Sequence, residues 1–236
     1  MNDMTRLIPE LDKLMQRVED LKVGETERLE AQRESLMRMF TSVINRDYTP
    51  DDVNPSEVFT SEFYEAVHQK EPGYQRNNWF SKKYVDLLSD FNFQNIFELG
   101  SGNGQATLAL SAIANRVTAC DFNDNPYAHL ENVTFHKASF FDLPTNISAD
   151  IAVSADVLEH FPTGKLVDVI GGLQKIAPKG LHLIAGYPDG MSHLSVLPPW
   201  HWLSIFRLFD PSYQLVDIEF RKEKVDKPVF VITNLI

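Results

Sequence analysis

From Ile96 onward, apolar strand patterns alternate with helical ones, and that alternation predicts an α/β fold. The predicted architecture is a doubly wound, mostly parallel, seven-stranded sheet. Two further observations complete the outline. The last two strand patterns, YQLVDIEF and PVFVITNL, face each other across a short charged turn with no helix between them, which predicts a C-terminal antiparallel hairpin. The first 50 residues carry an apolar stripe of their own, which predicts an N-terminal helical extension.

In that extension Leu7, Leu11, Leu14, Val18 and Leu21 recur at 4-3-4-3 spacing, a coiled-coil seam over two heptads, before Gly24 interrupts it. A second stripe follows with Leu29, Leu36, Phe40 and Val43. The pair reads either as a helical hairpin or as one long bent helix. Two heptads are too short to stand alone, so the stripe packs on the main domain or on another chain, as a homo-oligomer or with a protein partner. The run RDYTPDDVNPSE has the Pro, Asp and Asn density of a linker. Three regions result: a helical extension at 1–48, a linker and cap segment at 49–80, and the α/β domain at 81–236.

Within the α/β domain, a helix at Ser81–Phe91 precedes the first strand, NIFEL. The helix QATLALSAIAN and the strands RVTACD, VTFHK and DIAVSA follow. A helix from Thr163 to about Ala177 leads to the fifth strand, LHLIAG. Only eleven residues, FNDNPYAHLEN, separate Asp121 from the strand at Val133, so that crossover is a short helix or an irregular loop.

Composition narrows the function classes. Hydrophobic residues make up 43% of the chain, enough for a substantial core. No apolar run approaches the roughly 20 residues of a membrane-spanning helix, and the polar N-terminus does not read as a secretory signal. The single cysteine, Cys120, lies in a strand pattern, so no disulfide framework forms and a cytoplasmic setting fits. A net charge of −11 weighs against a nucleic-acid partner. The densest basic run, FRKEKVDK, is interrupted by Glu223 and Asp226 and reads as a solvated turn.

Three glycines within five residues, Gly100, Gly102 and Gly104 in FELGSGNGQATLAL, mark the exit of the first strand. Glycine in a regular element costs about 1 kcal/mol relative to alanine, so the spacing points to a tight turn and a ligand close to the backbone. In a parallel sheet, that ligand lies beyond the carboxyl ends of the strands. Asp121 ends the next strand, 17 residues after Gly104, where a carboxylate can accept hydrogen bonds from two ribose hydroxyls. Glu98 leads into the loop; it would repel a pyrophosphate but suits a ligand bearing a cationic amine. Neither G-x-G-x-x-G nor G-K-[ST] is present, so dinucleotide and nucleotide-triphosphate readings lose support.

Together, ELGSGNG, the fourth-strand segment DIAVSADVLEHF and the fifth-strand segment IAPKGLHLIAGYP resemble the class I S-adenosylmethionine-dependent methyltransferases. The resemblance runs from about Ser81 to Ile236. It implies S-adenosyl-L-methionine as cofactor. It places Gly100, Ser101 and Gly102 under the methionine portion, Gly104 in the same cofactor-binding loop, Glu98 near the amino group, Asp121 on the ribose and Phe122 on the adenine. For the adenine amino group the family often uses an Asp after the third strand. Here that position is Ser139, with Phe140 beside it, and Asp142 three residues later is the alternative. Arg76, in the loop GYQRNNWF, is a candidate for the methionine carboxylate.

Methyl transfer from a sulfonium is an in-line displacement that rests on alignment and exclusion of water. A hydroxyl acceptor must also lose its proton, usually to His, Asp or Glu. His160, Asp156 and His193 are the candidate catalytic residues, His160 foremost, with a second-shell or surface histidine as its alternative. No metal-ligand cluster stands out in the sequence, so no metal is expected. The segment YPDGMSHLSVLPPWHWLSIF reads either as a substrate lid or as a packing lid. The absence of an N-P-P-Y-type segment leaves a small-molecule or carbohydrate acceptor: a sugar or glycan hydroxyl first, a small amine or amino sugar second. A non-catalytic cofactor-binding scaffold and an NAD-dependent enzyme are the remaining alternatives.

Overall fold

The computed structural model describes residues 61–70, 78, 80–187, 193–221 and 227–235. The helical stripes of 1–48, the linker and Arg76 lie outside the described residues.

The elements are α1 (Ser61–Lys70), α2 (Lys82–Phe91), β1 (Asn95–Leu99), α3 (Gln105–Ser111), β2 (Arg116–Asp121), β3 (Val133–Lys137), β4 (Ile151–Ala155), α4 (Leu166–Ile176), β5 (Lys179–Ala185), α5 (Pro199–Arg207), β6 (Gln214–Phe220) and β7 (Pro228–Thr233). Seven strands form one sheet in the order β3-β2-β1-β4-β5-β7-β6. The first five pair in parallel; β7 runs antiparallel to both β5 and β6. The expected hairpin is present, and its second strand is the one inserted beside β5.

Central strands of a parallel sheet are covered on both faces and read as near-continuous apolar runs. Ile96 and Phe97 on β1 are both buried, as are Ile151, Ala152 and Val153 on β4. Successive side chains point to opposite faces, so two cores form. Ile96 and Val153 pack with Tyr84 and Leu88 of α2 and Leu110 of α3. Phe97 and Ala152 pack with Leu166, Val169, Ile170 and Leu173 of α4 and with Trp202 and Phe206 of α5. The edge strand β6 mixes half-buried and exposed positions, with a register shift between Leu215 and Asp217.

One helix ends earlier than its sequence pattern, and two stretches that the sequence left open take a definite form. α3 stops at Ser111 rather than Asn115. The β2–β3 crossover holds no helix, only turns between Asn125 and Leu130, where Ala128 N–H donates to Asn125 O and Leu130 N–H to Tyr127 O. The aromatic stretch after β5 forms α5, whose Trp202 is fully buried. That tryptophan packs in the core, as in the packing alternative.

With β2 on one side of β1 and β4 on the other, the chain reverses direction across the sheet at β1. The crevice outside the strand ends opens at that switch point.

Candidate active site

β1 ends at Leu99, and the chain leaves it through Gly100, Gly102 and Gly104, whose φ angles are 71°, 50° and 76°. Glycine takes this left-handed region without the steric cost that other residues meet. The Gly100 and Ser101 N–H groups both donate to Cys120 O, at 2.9 and 3.2 Å. Gly102 N–H donates to Asp121 Oδ2 at 2.8 Å, and Asn123 N–H donates to Asp121 Oδ1 at 2.8 Å. The loop leaving β1 is therefore pinned to the end of β2. A Cβ on Gly100 would overlap the Val157 side chain, whereas one on Gly102 would meet nothing within 4 Å.

Gly102 faces a cavity that opens to solvent. Glu98 forms part of its floor. Thr107 donates to Glu98 Oε2 at 2.6 Å, and Asn125 Nδ2 donates in turn to Thr107 Oγ1 at 2.7 Å. Burial pushes the Glu98 carboxyl up to about 7; the Thr107 hydrogen bond offsets part of that rise and the charge of Asp121 adds to it. Ser101 Oγ is buried on the same wall with no hydrogen-bond partner, the kind of group a bound ligand satisfies. Phe122 lies across the cavity, stacked on Tyr64 of α1 with ring centroids 5.8 Å apart.

Another wall follows β4. Asp156 has a φ of 64°, rare for a non-glycine residue and found mostly at tight or functional positions. Arg221 Nη2 donates to its Oδ1 at 2.7 Å. Burial would raise the Asp156 pKa, but Arg221, with smaller contributions from His160 and His193, holds it below the usual carboxylate range. Next to it, His160 is buried with its ring edge-on to His193, centroids 4.8 Å apart, and edge-on to Tyr64 at 5.7 Å. Glu159 is fully buried; Ala185 N–H donates to its Oε1 at 2.7 Å. Burial, with the charge of Asp156 added, pushes the Glu159 carboxyl well above its ordinary range.

Residues 97–176 match the family model described as a methyltransferase domain. This chain carries a methyltransferase domain. No curated protein matches the chain in sequence. Among solved structures, the fold resembles the 1,6-didemethyltoxoflavin-N1-methyltransferase of Burkholderia thailandensis, at 19% identity and a TM-score of 0.61, covering 77% of this chain and 89% of that one. It also resembles the magnesium protoporphyrin IX methyltransferase ChlM of Synechocystis PCC 6803, at 14% identity and a TM-score of 0.56, covering 76% and 99%. A third is the N-methyltransferase NodS of Bradyrhizobium japonicum WM9, at 15% identity and a TM-score of 0.52, covering 73% and 96%. All three of those structures hold S-adenosylhomocysteine. The shared fold is that of the class I S-adenosylmethionine-dependent methyltransferases.

In the methyltransferase domain, Glu98, Gly100, Ser101, Gly102, Asp121, Phe122, Phe140, Asp156 and His160 all line the cavity. Gly104 lies just behind it as the residue before α3, its Cα packed against Asn125 and Tyr127. Ser139 and Asp142 do not line the cavity. Ser139 Oγ accepts from Phe141 N–H at 3.3 Å and so caps the short 3₁₀ turn Phe140–Asp142, and Ala138 lines the wall instead. Asp142 is exposed at the end of that turn. His193 sits behind His160, where its Nδ1–H donates to Tyr187 O at 2.6 Å.

Two residues at or beside the cavity were missed by sequence reasoning. Arg221 belongs to the run read as a solvated turn, yet its side chain is 12% exposed. Its partner is 65 residues away, so no local pattern announces the pair. Tyr64 reaches the cavity from α1, signalled only by an aromatic pair in a short amphipathic stretch. Among the described residues, no helix is long and apolar enough to cross a membrane.

Proposed function

We propose that the methyltransferase domain binds S-adenosylmethionine in the cavity beyond β1 and β2 and passes its methyl group to a hydroxyl of a small molecule or sugar. The observation that carries the reading is the pair of carboxylates, Glu98 and Asp121, on the walls of one cavity on either side of a glycine loop with positive φ. The orphaned Ser101 hydroxyl and the open space over Gly102 support a ligand against the loop backbone.

When bound, S-adenosylmethionine supplies an electrophilic methyl group on a cationic sulfur. Glu98 is suited to the cationic amine, since ionising beside it offsets the burial that otherwise keeps its proton on. Asp121 keeps acceptor lone pairs for ribose hydroxyls while its backbone partners fix its position. Phe122 and Phe140 offer flat apolar faces to an adenine. Asp156 and His160 line the same cavity from the segment after β4, and their presence there supports an acceptor that has to give up a proton. Burial of this wall strengthens every charge interaction within it. The helical stripe of residues 1–48 is assigned in this reading to packing on the domain or on a second chain, and the setting is cytoplasmic.

Calorimetric titration with S-adenosylmethionine and S-adenosylhomocysteine tests the cofactor assignment; no heat at millimolar ligand removes it. Transfer of labelled methyl across panels of sugar hydroxyls, other alcohols and amines tests the acceptor. Labelling of hydroxyl acceptors is expected, and labelling of amines alone ends the hydroxyl assignment.

A further inference from the structure

We propose that Asp156, Glu159, His160 and His193 form a binding site for one first-row divalent cation at the acceptor end of the cavity. One ligand atom from each of these four residues lies within 4.8 Å of every other. Donors sharing an ion at about 2.1 Å stand about 3.4 Å apart in a tetrahedron and about 4.2 Å apart when opposite each other, so contractions of no more than about 1.4 Å bring the four onto a common centre. The cluster assembles two elements: Asp156, Glu159 and His160 come from the segment directly after β4, and His193 from the segment after β5.

The second observation is the state of Glu159. Its residue is fully buried, its Oε1 takes the Ala185 N–H, and its Oε2 receives no donor, the neighbouring Asp156 carboxylate being a group with which it shares either a proton or a cation. A buried carboxylate oxygen without a partner is costly unless a cation or proton donor completes it.

The surroundings also match what metal ligands require. Metal-bound imidazoles usually donate the opposite ring N–H to a carbonyl or carboxylate, which fixes the tautomer and aims the lone pair. His193 does this through Nδ1–H to Tyr187 O at 2.6 Å, leaving Nε2 as the donor atom. Arg221 holds Asp156 by Oδ1, leaving Oδ2 for a metal, and Ala185 holds Glu159 by Oε1, leaving Oε2.

Two oxygens and two imidazole nitrogens select the Mn²⁺ to Zn²⁺ series over Ca²⁺ or Mg²⁺, which favour all-oxygen sets. Asp156 and His160 line the cavity while Glu159 and His193 lie behind them. The cation's remaining coordination positions therefore face the acceptor space. Only that last role, contact with oxygen atoms of the acceptor, rests on the methyltransferase reading. The cation site stands on the geometry alone.

The test loads chelator-treated, full-length protein with Mn²⁺, Zn²⁺ or Co²⁺ and measures bound ion by equilibrium dialysis, with the visible absorption of Co²⁺ as a report on the ligand set. One ion per chain is expected, with Co²⁺ bands typical of nitrogen and oxygen donors. Glu159→Gln and His193→Gln are each expected to weaken the ion by at least about tenfold, the scale of loss when metal-site groups are removed. Far-UV circular dichroism and a cooperative thermal melt check that each variant is folded, and the wild-type Co²⁺ spectrum needs no variant at all. Wild-type protein that binds S-adenosylhomocysteine but no ion at millimolar levels overturns the site and leaves the methyltransferase reading intact. Variants with unchanged affinity and spectrum also overturn it. One bound ion lost in the variants, with no response to S-adenosylhomocysteine, upholds the site and removes the cofactor assignment instead.

Discussion

Arg221, just past the end of β6, donates to the carboxylate of Asp156 at the end of β4 at 2.7 Å, although β5 and β7 lie between those strands in the sheet. The guanidinium also lies over the Tyr187 ring, 5.5 Å from its centre. One residue thus ties the C-terminal hairpin to the segment after β4 that lines the cavity. The pair is nearly dry, with side chains 12% and 9% exposed. Removing one member of such a pair strands the other charge and costs about 3–5 kcal/mol, whereas replacing both is far milder. Arg221→Ala is expected to lose stability on that scale in urea unfolding, and the Asp156→Asn, Arg221→Met double variant to recover a large part of it. Losses that simply add would mean the two side chains are not coupled.

Gly100 and Gly102 share a backbone conformation but not a neighbourhood, so alanine at each has a different consequence. At Gly100 the methyl group meets Val157, and the left-handed φ of 71° adds its own strain. Together these are expected to cost about 2–5 kcal/mol of folding stability. At Gly102 only the φ of 50° opposes alanine, a cost of about 1–2 kcal/mol, but the methyl projects into the cavity. Gly102→Ala is therefore expected to lose affinity for S-adenosylhomocysteine out of proportion to its lost stability. Equal ratios of the two losses at both positions would contradict this division.

Glu98 couples cofactor binding to pH. Its folded pKa of about 7 stands above the ordinary 4.5. A raised carboxyl contributes its full stability below the unfolded value and loses it as pH rises to the folded one. The free protein is expected to lose roughly 3 kcal/mol between those limits from this group. A cationic amine beside Glu98 favours the ionised form, so binding below about pH 7 releases a proton. Affinity for S-adenosylhomocysteine is expected to rise by up to about tenfold per pH unit there and to level off above it. Glu98→Gln should flatten both curves. Calorimetry in buffers of different ionisation enthalpy measures the released proton directly.

What the sequence conveys follows from how local each cause is. The parallel sheet was legible because a strand buried on both faces, such as β4 with IAVSA, needs an apolar run whatever its neighbours are. The glycine loop was legible because positive φ falls on particular residues. Contacts across the sheet left no such trace. The Arg221–Asp156 pair joins positions whose neighbours, Glu223 and Asp226, make the basic run look like any solvated turn. Ser139 fell where an adenine contact was expected, but a short 3₁₀ turn commits its hydroxyl to the backbone of Phe141. The gathering of Glu159 with His193 depends on the path after β5, which has no periodicity to read.

The two tryptophans of α5 separate packing from recognition. Trp202 is completely buried among Phe206 and the α4 side chains, and its indole N–H has no hydrogen-bond partner. Trp202→Ala is expected to cost about 3–5 kcal/mol through the cavity it leaves. Trp202→Phe keeps most of the ring and removes the orphaned donor, so the two effects oppose and the net cost should be far smaller. Trp200, two residues away, is 49% exposed. A helix turns by about 100° per residue, so the two rings leave the helix on different faces. Trp200→Ala should change stability by no more than about 0.5 kcal/mol. If the exposed indole is a platform for an acceptor ring, the same variant raises the acceptor KM and leaves cofactor affinity alone. An unchanged KM would place Trp200 outside acceptor recognition and leave α5 as a purely structural helix.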